Sequence, residues 1–131
     1  MLSHNLLVVY IRRVSIPDLP VLSPRERQAG GCCVAVVEPD LSEHAALDLA
    51  LVVKALADPT RLRIVDALRK STPEALCQCE LVPLFGMSQQ ALSRHLGVLV
   101  SAGVIGSERR GVWTYYFVRS ESLEALHTWL S

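Results

Sequence analysis

Long apolar runs are missing from this sequence. The run Leu6–Ile11 is apolar over only six residues and is followed by Arg12 and Arg13. A transmembrane helix needs about 20 apolar residues, and a signal peptide carries its basic residues ahead of its apolar region. We therefore expect neither membrane insertion nor a secretory signal, and we predict a cytoplasmic protein without a membrane partner.

An excess of one charge sign is missing as well, since 13 basic and 13 acidic residues give a formal net charge of zero. The distribution is nevertheless uneven. Residues 59–119 carry eight basic and four acidic side chains, whereas residues 1–58 carry five basic and seven acidic ones. Local charge matters more than the sum for binding a polyanion, so this basic central segment is compatible with binding to nucleic acid.

The sequence also lacks an evident pairing of a nucleophile with a base, or of two carboxylates, as catalysis would require. We therefore expect a protein that is not an enzyme. Neither a small-molecule substrate nor an organic cofactor is predicted.

The chain of 131 residues is 50% hydrophobic and 20% charged, which supports one domain with a real core and an additional tail. Residues 1–40 contain four of the seven prolines and no sustained apolar period. We predict that residues 1–40 form a mobile N-terminal arm and that residues 41–131 form the folded domain.

Capping patterns predict two helices at the start of this domain. Asp40 and Glu43 have the spacing of a capping box, ahead of a helix that extends through Leu56. Asp58 followed by a proline predicts a second helix over about residues 60–70. The positions expected to be buried are Leu49, Val52, Val53 and Leu56 in the first helix and Leu62, Val65 and Leu68 in the second.

A last helix is predicted over Glu121–Leu130, with Ser120 as its cap. Leu123, Leu126 and Leu130 share one face of it. Together with the first helix, this helix is too apolar for an exposed end of a domain. We therefore expect a homodimer formed through these two helices, which would match palindromic DNA.

The central part of the chain predicts a helix-turn-helix. A first helix over Cys79–Phe85 should end where Gly86 adopts the left-handed conformation, and we expect it to be short or to begin late because Pro83 interrupts it. Ser88 should cap a second helix that extends to about Ser101. Its buried stripe is predicted to be Leu92, Leu96 and Leu99, with Val100 beside them.

The other face of this second helix has the composition of a surface that reads DNA. Its side chains offer the amide, hydroxyl, guanidinium and imidazole groups that contact base edges and phosphates in the major groove. Two strands should follow, over residues 104–108 and 112–118, with Arg109 and Arg110 in the turn between them. The predicted DNA-binding residues are Ser88, Gln89, Gln90, Ser93, Arg94, His95, Arg109 and Arg110.

These elements together predict a mainly α fold with a small β-hairpin, that is, a homodimeric winged helix-turn-helix. A generic small helical domain with a polar helix face is the alternative interpretation. The capped polar helix, the glycine turn and the basic hairpin together favour DNA binding.

The four cysteines form two close pairs, Cys32 with Cys33 and Cys77 with Cys79. Structural disulfides are not expected without a secretory signal. Cys77 or Cys79 alone would fit a small apolar core residue, but two adjacent cysteines in a segment with little core to join indicate metal binding or redox chemistry. Because thiolates select soft ions, all four cysteines are candidate metal ligands.

Three segments of the sequence carry a resemblance to a known family: Lys54–Ile64, Ala75–Leu81 and Ser88–Leu96. They closely resemble the ArsR/SmtB family of metal- and metalloid-responsive repressors, and the resemblance covers about residues 43–130. It implies a homodimeric winged-helix repressor that binds double-stranded operator DNA and leaves it when a toxic ion binds.

The family uses several sensing sites, and the residues present here favour one of them. The Leu-Cys-x-Cys-acidic-Leu motif of residues 76–81 looks like the site of arsenite sensors and of cadmium/lead sensors. The adjacent pair on the arm resembles that of variant arsenite sensors. The family's zinc site on the last helix looks absent, since residues 119–121 do not match its beginning. As(III) is therefore the expected inducer, and Cd(II), Pb(II), Hg(II) or a thiol-redox switch are the alternatives.

Coordination chemistry narrows the expected ligand set. Arsenite prefers three thiolates, whereas cadmium and lead accept a fourth sulfur and mercury is satisfied by two. Cys77 and Cys79 do not share a face of a continuous helix, and they converge only if Cys77 lies in an extended turn before the helix. We therefore expect arsenite to be bound by Cys32, Cys33 and one of the other two, with Cys79 favoured because a helix N-terminus lowers a thiol's pKa.

Overall fold

The structure is a computed structural model that describes residues 38–131. Within this range the chain forms helices α1 (Glu43–Leu56), α2 (Pro59–Ser71), α3 (Gln78–Phe85), α4 (Gln89–Ser101) and α5 (Ser120–Leu130), and strands β1 (Leu76–Cys77), β2 (Ile105–Arg110) and β3 (Trp113–Val118). The predicted arm lies almost entirely outside the described residues, and so do Cys32 and Cys33. None of the helices in this range is long and apolar enough to cross a membrane.

Side-chain caps determine where the first two helices begin. The prediction for α1 was wrong, because Ser42 and not Asp40 is the N-cap: its hydroxyl accepts from the backbone N–H of Ala45 at 3.2 Å. The prediction for α2 is confirmed, since the carboxylate of Asp58 accepts from the backbone N–H of Arg61 at 3.0 Å. In both helices the side-chain oxygen satisfies an N–H group that has no partner within the helix.

The core lies between α1, α2, α3, α4 and the start of β2. The aliphatic side chains that are almost fully buried there are Ile64, Leu68, Leu81, Leu92, Leu96, Leu99, Val104 and Ile105. The stripe predicted for α4 is confirmed for its three leucines, but Val100 is exposed. Burial of these side chains supplies most of the favourable free energy of folding.

Two predicted core positions were wrong. Leu62 is 52% exposed, and Ile64 is buried instead; Val53 of α1 is likewise exposed, whereas Ala55 is buried. Among the other predicted positions, Leu49, Val52, Val65 and Leu68 are buried. The apolar period of the sequence does not fix the edges of each buried stripe, because apolar residues occur on either side of it.

The sheet has three antiparallel strands in the order β1-β3-β2. Only the β2–β3 hairpin was predicted. The short strand β1 pairs Leu76 with Tyr116 and Cys77 with Tyr115, so the chain just before α3 is attached to the hairpin. The turn of the hairpin also differs from the prediction: Arg110 pairs with Trp113 at the end of the ladder, so Gly111, with a φ of 63°, and the next residue form the turn.

Helix α5 begins one residue earlier than predicted, at Ser120. The prediction that Ser120 caps it was wrong, since the N-cap is Arg119 and no side chain makes a capping hydrogen bond. Its attachment comes instead from Ser122, whose hydroxyl donates to the carbonyl of Gly103 at 2.7 Å, and from Leu123, which packs against the core. Leu130, predicted on the apolar face, is exposed.

Candidate nucleic-acid interface and thiol site

Helices α3 and α4 are joined by a tight turn. Gly86 has a φ of 59° and a ψ of 29°, and its N–H donates to the carbonyl of Val82 at 3.1 Å, which ends α3. Only glycine takes this left-handed conformation without strain. Two residues later, the hydroxyl of Ser88 accepts from the backbone N–H of Ala91 at 3.1 Å and caps α4. The predicted helix-turn-helix is therefore confirmed.

The polar face predicted for α4 projects away from the core. Gln89, Gln90, Ser93 and Arg94 are exposed, whereas His95 is half-buried. The three buried leucines fix the rotation of the helix, and the four exposed side chains lie in its first two turns. This is the part of a recognition helix that contacts base edges in the major groove.

The half-buried His95 is close enough to Asp58 to influence its carboxylate. The hydrogen bond from the backbone N–H of Arg61 lowers the pKa of Asp58 below its ordinary value. Desolvation opposes this shift, and the charges of Arg61 and His95 add to it.

The two arginines of the wing, the β2–β3 hairpin, are held by intramolecular contacts. The Arg109 Nε–H donates to the carbonyl of Gly111 at 3.2 Å. Arg110 donates to the Glu108 carboxylate at 3.2 Å, and its guanidinium lies 5.6 Å from the centre of the Tyr115 ring. Arg94 makes no hydrogen bond or ion pair with any residue in the described range, so it is the candidate cation most available to a phosphate.

A residue that sequence reasoning missed lies beside this face. The side-chain amide of Gln78 donates to the hydroxyl of Ser93 at 2.6 Å and approaches the carbonyl of Gln89 at 3.5 Å. Gln78 is the first residue of α3, and both of its partners belong to α4. No local pattern in the sequence indicates a contact between positions 15 residues apart.

The structure brings Cys77 and Cys79 together. Cys77 has an extended backbone, with a φ of −70° and a ψ of 148°, and is the N-cap of α3. It therefore lies in the extended turn that convergence of the two thiols requires. Contrary to the expectation of no disulfide, their Sγ atoms are bonded to each other, and their Cα atoms are 5.2 Å apart. The two sulfurs can accordingly reach one small ligand from the same side.

The two cysteines differ in their surroundings. Cys77 is only 3% exposed, whereas Cys79 is exposed. The Sγ atom of Cys77 accepts from the Cys79 N–H at 3.3 Å, and the N–H of Cys77 donates to the Glu80 carboxylate at 2.7 Å, which completes a capping box. Helix α3 therefore begins at Gln78, one residue before the predicted start, and Pro83 lies inside its eight residues.

Residues 38–131 do not contain a complete metal site. No three side chains of histidine, cysteine, aspartate or glutamate come together in this range. When reduced, Cys77 and Cys79 would provide two sulfur donors, and a third donor would have to come from outside the described residues or from a second molecule.

Comparisons with known proteins agree with this arrangement. Residues 58–107, which include α2, α3 and the recognition helix, match the family described as "Bacterial regulatory protein, arsR family". The arsenical resistance operon repressor of Bacillus subtilis is 38% identical over 73 residues, which are 56% of this chain and 68% of that protein.

This chain belongs to the arsR family. The cadmium resistance transcriptional regulatory protein CadC homolog of Staphylococcus aureus is another similar protein, 32% identical over 66% of this chain and 70% of that one. The arsR-family chain described here therefore has relatives named for two different ions.

A solved structure confirms the fold of this arsR-family chain. The homodimeric winged helix-turn-helix DNA-binding domain Mb0332 of Mycobacterium bovis superposes with a TM-score of 0.57 at 23% identity, over 73% of this chain and 88% of that domain. The predicted fold class, a mainly α winged helix-turn-helix, is thus confirmed. The chain is a DNA-binding transcriptional regulator of the arsR family.

Proposed function

We propose that this chain is a cytoplasmic transcriptional repressor that binds operator DNA as a homodimer and leaves the DNA when As(III) binds its cysteine thiolates. The observation that carries the proposal is the convergence of Cys77 and Cys79 at the N-terminus of α3. Helix α3 is the first helix of the helix-turn-helix, so a ligand bound there acts on the DNA-reading unit directly. The relationship to an arsenical resistance operon repressor supports arsenite as the inducer.

The ligand set that we propose includes all four cysteines as candidates. From the sequence, the expected ligands are Cys32, Cys33 and one of Cys77 or Cys79. Because Cys77 and Cys79 lie together, we propose instead that both are donors and that Cys32 or Cys33 supplies the third sulfur. Arsenous acid reacts with thiols without an oxidant: each new As–S bond replaces an As–OH bond, and the thiol proton leaves with that hydroxyl as water. Soft thiolates are the donors that such an ion selects.

Exposed apolar side chains support the proposed homodimer. Leu51 on α1 and Trp129 on α5 are each 55% exposed, and they flank a groove of about 500 Å³ between these two helices. An apolar surface at the end of a small domain is typically covered by a partner, and a two-fold dimer presents two recognition helices to a palindromic site. The similar Mycobacterium bovis domain is homodimeric.

A thiol-redox switch is the second candidate function. The bond between Cys77 and Cys79 favours it, because the same pair can be oxidised without any ion. In that reaction two thiols and one hydrogen peroxide give one disulfide and two water molecules, so the sulfurs are oxidised and the peroxide is reduced. A thiol reductant would reverse the step.

One titration distinguishes these candidates. Fully reduced protein is bound to a fluorescent DNA duplex selected from a random pool, and arsenite, cadmium chloride or hydrogen peroxide is then added under matched conditions. We expect arsenite to release the DNA at the lowest concentration. Release by cadmium alone would establish the other type of inducer, and release by peroxide alone would establish the redox switch.

Cysteine variants locate the inducer site. We expect Cys77→Ser and Cys79→Ser to lower the arsenic stoichiometry and to abolish release, whereas both keep DNA affinity. The Cys32→Ser/Cys33→Ser double variant tests the third donor. A full arsenite response in that double variant would rule out a site that uses the arm.

A further inference from the structure

Gln78 connects two features that otherwise lie on separate helices. Its backbone lies between the two thiols, at the first position of α3. Its side-chain amide donates to the hydroxyl of Ser93 at 2.6 Å and approaches the Gln89 carbonyl at 3.5 Å. Both acceptors are in the first two turns of α4, on the face that reads DNA.

We expect that Cys77 and Cys79 cannot bind an ion unless the start of α3 moves. The Sγ atom of Cys77 is buried and is used as the capping acceptor for the Cys79 N–H at 3.3 Å. In this structure that sulfur is bonded to the sulfur of Cys79 and is buried, so an ion can bind it only after the pair is reduced and the sulfur becomes accessible. We expect that access to require the first turn of α3 to rotate or unwind.

Gln78 is the residue that any such change displaces first. A rotation of the first turn of α3 carries the Gln78 side chain away from Ser93, because the amide reaches α4 only from the present backbone position. Ser93 would then lose its donor, and the start of α4 would lose a restraint on its position relative to α3. A shift of about 1 Å is enough to break a hydrogen bond of this length.

We propose that Gln78 is a positioning residue that transmits occupancy of the thiol pair to the recognition helix. With no ion on the pair, as in this structure, the amide donates to Ser93 and restrains the start of α4 in the arrangement that binds DNA. With an ion bound, the hydrogen bond breaks, and the arrangement that binds DNA is no longer stabilised by it. This inference rests on the proposed function, since it assigns the route by which the thiol site acts on DNA binding.

The size of the effect follows from the kind of contact. One hydrogen bond between uncharged groups changes an equilibrium by roughly three- to tenfold. The factor by which arsenite weakens DNA binding should therefore fall by roughly three- to tenfold in a Gln78→Ala variant. By reciprocity, the factor by which DNA weakens arsenite binding must fall equally.

The test measures operator affinity with and without sodium arsenite, and arsenite affinity with and without DNA, for wild type, Gln78→Ala, Ser93→Ala and the double variant. We expect both single variants to bind arsenite in the absence of DNA with wild-type stoichiometry and affinity, but to show a reduced coupling factor. Because both single variants remove the hydrogen bond between Gln78 and Ser93, the double variant should lose no more coupling than Gln78→Ala alone.

Gln90→Ala is the matched control. Gln90 is on the same exposed face of α4, but no hydrogen bond joins it to Gln78 in the described residues. Its loss is expected to change operator affinity and to leave the coupling factor at the wild-type value. This control distinguishes a variant that changes only DNA affinity from one that changes the coupling between arsenite binding and DNA binding.

Each remaining outcome has a definite meaning. If arsenite does not release wild-type protein, the proposed function fails before Gln78 is tested. If wild type responds and Gln78→Ala keeps the full coupling factor, the function stands and the role of Gln78 is overturned. Loss of arsenite binding itself in Gln78→Ala would also overturn it, because the amide would then act on the ion site. Should Gln78→Ala fail to fold, Ser93→Ala tests the same bond from its other end.

Discussion

Cys77 and Glu80 cap helix α3 together. The backbone N–H of Cys77 donates to the Glu80 carboxylate at 2.7 Å, and the Cys77 sulfur accepts from the backbone at the helix start. Serine, threonine, aspartate and asparagine are the residues usually found in this position. A candidate ligand of the inducer therefore also stabilises the start of the helix-turn-helix.

The first prediction separates these two roles of Cys77. Cys77→Ser keeps a capping acceptor, so under reducing conditions its free energy of unfolding should stay within about 0.5 kcal/mol of wild type. Cys77→Ala loses the cap and should be less stable by about 1 kcal/mol. Guanidinium unfolding of both variants measures the difference, and equal stability of the two would show that the sulfur does not cap α3.

The second prediction concerns the three arginines of the proposed DNA-binding surface, Arg94, Arg109 and Arg110. Arg94 is free of hydrogen bonds and ion pairs within residues 38–131, whereas Arg109 and Arg110 are engaged. Arg94→Ala should therefore weaken operator binding most and reduce the slope of log affinity against log salt by about 1. Lys70→Ala, an exposed change on α2, is the control. Unchanged affinity in the triple variant of Arg94, Arg109 and Arg110 would refute the assignment of this surface.

The third prediction uses two leucines of the same helix, α2. Leu68 is 1% exposed and Leu62 is 52% exposed. Leu68→Ala should lower the free energy of unfolding by about 2–5 kcal/mol because it leaves a cavity, whereas Leu62→Ala should cost less than about 1 kcal/mol. Urea denaturation checks both. Equal losses would mean that α2 is rotated differently.

The fourth prediction is a dependence of stability on pH. The pKa of Asp58 is lowered in the folded state, chiefly by the hydrogen bond from the Arg61 N–H. A lowered folded pKa stabilises the protein above the unfolded pKa, and this contribution is lost as the pH falls below about 4. Asp58→Asn keeps a good capping residue but cannot titrate. On acidification, the free energy of unfolding of wild type should therefore fall more than that of the variant. Unfolding measured at pH 7 and pH 3 checks this.

The fifth prediction concerns dimerisation. Leu51→Glu places a charge on the exposed apolar surface shared by α1 and α5 and should convert the dimer to monomers, with a large loss of operator affinity. Leu62→Glu introduces the same charge at a leucine of similar exposure on α2 and is expected to leave the dimer intact. Analytical ultracentrifugation of both variants decides the matter. A dimeric Leu51→Glu protein would place the interface elsewhere.

The sequence by itself determined the features that depend on neighbouring residues. The caps at Asp58 and Ser88, the left-handed Gly86 and the stripe Leu92, Leu96 and Leu99 were all predictable. Each depends on side chains and backbone groups within about one or two helical turns. The fold class and the exposed face of α4 follow from those local signals.

Only the tertiary structure decided the features that depend on distant pairing. Cys77 is extended because β1 pairs with Tyr115 and Tyr116 of β3, about 40 positions further along the chain; this pairing lets the sulfur of Cys77 both cap α3 and meet Cys79. The amide of Gln78 reaches Ser93 only once α3 and α4 have packed around the turn at Gly86. A two-residue strand and a contact between helices leave no periodic pattern in a sequence, since their free energy comes from partners that folding brings together.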